Sequence, residues 1–116
     1  MRYMLLLHGR VAELHDRPAD RLEEVLGFLV RFEDELAISS ELEWTEVLDA
    51  EDQAEVVGPD REVRKGWANA GAAPLMRAWV VRVRDQARAW ELAGALAEAL
   101  EMPVEVRECL PGSQRP

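Results

Sequence analysis

Arg2-Tyr3-Met4-Leu5-Leu6-Leu7-His8-Gly9 is an almost unbroken apolar run closed by a glycine. Its length and its glycine stop suit a strand better than a helix. Side chains alternate across a pleated strand, so Tyr3, Leu5 and Leu7 point one way while Met4, Leu6 and His8 point the other. Both faces are therefore apolar. A chain of 116 residues can cover one face with its own helices but has little left for the second, so another sheet or another subunit is expected there.

That length gives one domain, expected over residues 1–110 with a flexible tail at 111–116, and room to bury roughly two-thirds of the unfolded chain's surface. The apolar fraction of 48% and charged fraction of 32% are those of a globular protein with a highly charged surface. With 23 acidic against 14 basic residues the net charge is −9, which repels phosphate backbones and anionic membranes. Neither nucleic acid nor a membrane is an expected partner. The lone Cys109 has no internal disulfide partner, and the opening apolar run is too short for a signal-peptide core or a membrane span. A cytoplasmic protein is expected.

Beyond the first strand, Arg10–Arg17 reads as a polar connection. From Pro18, placed for a first helical turn, Leu22, Val25, Leu29, Phe32 and Leu36 recur at spacings of three and four, with Leu26 and Val30 widening the stripe. This predicts an amphipathic helix ending near Ser39–Ser40. Leu42–Leu48 reads as a half-buried strand with Leu42, Trp44, Glu46 and Leu48 on one face. Ala54–Val57 and Arg61–Lys65 form a hairpin around Gly58-Pro59-Asp60. The glycine-rich stretch Gly66–Pro74 is a loop that lies close to other backbone or moves. Arg77–Arg84 is a second strong strand, and Asp85 caps an alanine-rich helix over Gln86–Glu101 that ends before Pro103 and buries Trp90. Val104–Arg107 alternates as a last strand. Without the hairpin the order is β-α-β-β-α-β, the ferredoxin-like arrangement. The predicted class is α+β, an antiparallel sheet with two helices on one face and a symmetric homodimer closing the other.

The opening Arg2–Leu7, the helix end Phe32-Glu33-Asp34-Glu35-Leu36, the hairpin, the late strand and the closing Val104-Glu105-Val106-Arg107 together resemble the YCII-related family, in the branch known by its Asp-Gly-Pro-Phe-Ala-Glu signature. The similarity runs from about Arg2 to Glu108. It implies a small ferredoxin-like protein that dimerises into an α+β barrel, a cleft that serves some members as an active site, and an association with extracytoplasmic-function sigma factors. Counting back from Trp79, the signature falls on Lys65-Gly66-Trp67-Ala68-Asn69-Ala70, where only the glycine survives. The family's acidic residues are replaced by Lys65 and Ala70, which points away from family-like catalysis.

Several residues are candidates for chemistry. His8, at the end of a central strand, is placed to act as a general acid or base or to be held by backbone as a structural histidine. Glu46 beside Trp44 is placed to pair with it across a dimer cleft, as is Asp16; an edge strand kept soluble by charge explains Glu46 equally. His15 and Asp16 lack metal-ligand spacing, and no phosphate-binding glycine loop or nucleophile elbow occurs, so no metal and no cofactor are expected. Trp44, Trp67 and Trp79 line a site for a small apolar or aromatic ligand, or fill core and interface; Trp67, inside the replaced signature, is the one placed to line or plug the former cleft. Arg77, Arg82, Arg84 and Arg88 balance neighbouring carboxylates. Three readings follow: a dimeric module binding a small molecule or a partner, an enzyme using His8, and a sigma-factor accessory.

Overall fold

The structure, a computed structural model, describes residues 1–112; of the expected tail, residues 113–116 lie outside the described range. The order is β1 (Arg2–His8), α1 (Val11–His15), α2 (Ala19–Ile38), β2 (Leu42–Val47), β3 (Glu55–Val57), β4 (Val63–Lys65), β5 (Leu75–Arg82), α3 (Gln86–Leu100) and β6 (Val104–Glu108). Four strands form an antiparallel sheet in the order β2-β5-β1-β6, and β3 and β4 pair as a separate hairpin. That strand order is compatible with the ferredoxin-like reading of the sequence, with α2 and α3 as the two crossover helices. Arg10–Arg17, read as a loop, contains the one-and-a-half turns of α1, anchored by buried Leu14.

One face of the sheet carries the core. Tyr3, Leu5 and Leu7 of β1 and Trp79 and Val81 of β5 meet Val25, Leu29, Phe32 and Leu36 of α2 and Ala89, Leu92, Leu96 and Leu100 of α3 in a single cluster. Each fully buried aliphatic chain contributes roughly 1.5–3 kcal/mol. The helices place only their strict three-and-four stripes inward. Leu26 and Val30 are exposed on α2, and Trp90, expected in the core, is 58% exposed on α3, because it lies off the stripe set by Ala89, Leu92, Ala93 and Leu96. Asp85 caps α3 as expected, accepting the Arg88 backbone N–H at 2.9 Å.

β2 departs from simple alternation. Leu42 pairs with Val81, but Trp44 pairs with Val80, so Glu43 is an extra residue and the strand's parity flips there. Leu42 consequently faces the helices while Trp44 and Glu46 face away, which separates residues that plain alternation puts together. Beyond the bulge, Thr45 points at α2. There Glu33 accepts hydrogen bonds from the Trp79 indole N–H at 2.9 Å and the Thr45 hydroxyl at 3.3 Å, and pairs with the Arg77 guanidinium, which stacks over Trp79 at 5.1 Å.

The molecule measures 45 × 43 × 20 Å, with a radius of gyration of 15.6 Å against roughly 13 Å for a compact chain of this size. Its thickness is that of one sheet and one helix layer, each about 10 Å. Glu33 fastens the layers at the β2 side. Glu33→Ala strands the indole N–H and an arginine in a partly buried site, so it should cost about 1–3 kcal/mol in urea unfolding, and Glu33→Gln less. A loss under about 0.5 kcal/mol for the alanine variant would show that the cluster carries no weight.

Candidate functional site

The sheet face away from the helices is laid out in rows, since residues paired across antiparallel strands share a face. Arg2 lies beside Arg82 in the first row, with Glu43 bonded to Arg2 at 2.7 Å and within 3.7 Å of Arg82. The second row reads Trp44, Val80, Met4, Arg107 and the third Glu46, Ala78, Leu6, Glu105. His8 follows beside Leu75, across a bulge that turns Met76 into the core. Leu6 and Val80 are buried on this face apart from the main core, while Trp44 is 59% exposed. The result is an apolar centre with arginines toward one end and carboxylates toward the other.

Within the chain His8 has an acidic neighbour of its own, distinct from the Glu46 and Asp16 expected across a dimer cleft. Its Nε2 lies 2.8 Å from Glu105 Oε1, on a strand directly paired with β1. Glu46 sits two strands away, on the order of 10 Å across the sheet, and Asp16 lies beyond α1. Glu105 was legible only as a wet position of the last strand; its meeting with His8 depends on the β1–β6 register.

The three tryptophans separate. Trp79 is 0% exposed beneath the helices, so the ligand-lining role is corrected: its large ring is drawn into the core and its N–H is satisfied by Glu33. Trp44 stands on the uncovered sheet face. Trp67 is half-buried in the loop after β4 and held from several sides: its indole N–H donates to Ala72 O at 2.8 Å, and Arg64 donates to its carbonyl at 3.3 Å and to that of Ala68 at 2.9 Å. Gly66, at φ +105°, makes the turn into this loop in a region that favours glycine. Trp67 borders two concavities. One, of about 560 Å³, runs between the β3–β4 hairpin and the chain around Leu48 and Leu75. The other, of about 430 Å³, holds Arg10, His15 and Asp16, and there the Arg10 guanidinium lies 5.2 Å from the Trp67 ring. Sequence reasoning missed Arg64, since an arginine on a short exposed strand carries no mark of the loop it pins.

The arginines expected to balance carboxylates do so: Arg77 with Glu33, Arg82 with Glu43, Arg84 with Asp85, and Arg88 with Glu41 and Glu91. Arg88 grips Glu41 with two donors, each at 2.9 Å, and the Ser39 hydroxyl adds a third. The Arg88 hydrogen bonds, opposed by desolvation and aided by Ser39, hold the Glu41 carboxyl down to about 2, and the same bonds raise Arg88. Hydrogen bonding to Arg2 likewise lowers Glu43. Among the described residues no three His, Cys, Asp or Glu side chains come together as a metal-holding group, and no helix is long and apolar enough to cross a membrane. A scan against protein-family models and a search of curated proteins both found no match.

Because Glu41 binds its proton more weakly folded than unfolded, its contribution is present above about pH 4.5 and lost as the pH falls toward 2. Glu41→Gln should therefore lower unfolding free energy by about 1–2 kcal/mol at pH 7, a value discounted for partial solvent access, and the gap to wild type should close on acidification. A gap that stays constant from pH 7 to pH 2 would contradict this assignment.

Proposed function

We propose that the protein is a homodimeric small-molecule-binding module of the YCII-related type, whose two sheets pack face to face into an α+β barrel. The observation that carries this reading is the uncovered sheet face, with its apolar centre and opposed charged ends. Arg2, Arg82 and Arg107 with Glu43 gather toward one end; Glu46 and Glu105 with His8 gather toward the other. A two-fold axis lying in the interface and crossing the strands brings the basic end of one copy onto the acidic end of its partner, while Trp44 and Met4 are covered above Leu6 and Val80, which the single chain already buries. An axis along the strands would instead set like charge on like charge. The Trp67 groove at the His8–Leu75 end of the sheet supplies the ligand site.

A second reading, an enzyme using His8 as acid or base, is favoured by the 2.8 Å contact with Glu105, which orients the imidazole as a carboxylate partner does in acid/base sites. It fails if His8→Ala leaves unchanged whatever turnover the purified protein shows toward small ester and carbonyl substrates.

The dimer is tested by sedimentation. Wild type should run as a dimer at micromolar concentration and Trp44→Glu as a monomer. The variant's own unfolding free energy should stay within about 0.5 kcal/mol of that of a dissociated wild-type chain, because the side chain is mostly solvent-exposed in the single chain. A wild type that sediments as a monomer would remove the interface from the proposal.

A further inference from the structure

We propose that the Trp67 groove selects a cationic ligand, an apolar or aromatic molecule bearing an organic ammonium group. The inference rests on the reading of the protein as a small-molecule-binding module and names the class of molecule. At about 560 Å³ the groove has the size of a small-molecule site. Its walls at Leu48, Val56, Pro74 and Leu75 are apolar, and its charged lining residues, Asp49, Glu51 and Glu55, are all acidic. Among the described residues no lysine or arginine lines it.

These carboxylates are only partly engaged by the fold. Asp49 and Glu51 each accept one backbone N–H, from Ala50 at 2.8 Å and Val11 at 3.2 Å, through a single oxygen. Glu55 meets only Lys65, at 3.9 Å and in solvent. Each keeps an oxygen with no hydrogen bond among the described residues. Trp67 adds the aromatic surface that attracts cations. It is fixed in place by Ala72 and Arg64, so little ordering opposes binding. The ring already holds one cation, Arg10, which lines the neighbouring concavity. Arg10 is not among the residues that line the groove itself. An anionic ligand would meet three carboxylates, with Lys65 beside Glu55 and Arg10 beside Trp67 as the nearby counter-charges; a neutral one would leave the carboxylates unused.

The test is an NMR titration of the full chain with three probes of one shape: phenethylammonium, 2-phenylethanol and phenylacetate. The ammonium should shift the Trp67 indole N–H and the Leu48–Ala54 amides, and bind about fivefold or more tighter than the alcohol, with the anion weakest. Trp67→Ala should abolish the effect. The double variant Asp49→Asn with Glu55→Gln leaves the ring in place and should bring the preference below about twofold. Equal binding of all three probes overturns the charge assignment while leaving a ligand groove standing. Binding by none overturns the groove altogether, independently of the dimer, which sedimentation of the same samples reports. Shifts that map between α2 and α3 also overturn it.

Discussion

β1 is hydrogen-bonded along both edges, to β5 and to β6, and both of its faces are apolar. One layer of helices covers one face of a sheet, so α2 and α3 settle the position of Tyr3, Leu5 and Leu7 and leave Met4, Leu6 and His8 unanswered. The 20 Å thickness is the outward sign of that imbalance. Burying Leu6 and Val80 against their sheet neighbours meets it only in part, since Trp44 still stands in solvent on the same face. The uncovered face is thus a consequence of the fold's arithmetic, and its charge pattern gives it a direction.

The polar groups serve the same two-layer design. Glu33 ties α2 to the sheet by collecting the Trp79 indole, the Thr45 hydroxyl and Arg77, and Glu41 ties the α2–β2 turn to the start of α3 through Arg88. Both fasteners lie on the helix side. On the other side the polar groups are different in kind: the His8–Glu105 contact and the Arg2–Glu43 contact are exposed. In a protein of net charge −9, an apolar centre with its arginines segregated at one end is better suited to a copy of itself than to a polyanion.

Much of this was legible in the residues. The unbroken apolar run of β1 closed by Gly9, the helical stripes, the Asp85 cap and the Gly58-Pro59-Asp60 reversal each carry their structure locally, and together they give the order of elements along the chain. Most of the misreadings come from register, which is not local. The extra residue Glu43 flips the face of everything after it in β2, so Leu42 and Trp44 part company. Trp79 and Trp90 look alike as aromatic side chains on regular elements, yet one is fully buried and the other largely exposed, because the stripe around each decides. His8 finds Glu105, 97 residues on, through the β1–β6 pairing, which no spacing rule anticipates. The Trp67 loop was visible as irregular, but the arginine that fixes it was not.

We propose the uncovered sheet face as the interface between copies of this chain. Fluorine NMR on protein carrying 5-fluorotryptophan tests it directly, since Trp44 and Trp90 are comparably exposed in the single chain, at 59% and 58%, on opposite sides of the molecule. As protein concentration rises, the solvent-isotope shift of the Trp44 resonance should disappear while that of Trp90 persists. An association in which Trp44 keeps its solvent shift, or in which Trp90 loses its own instead, would contradict the account.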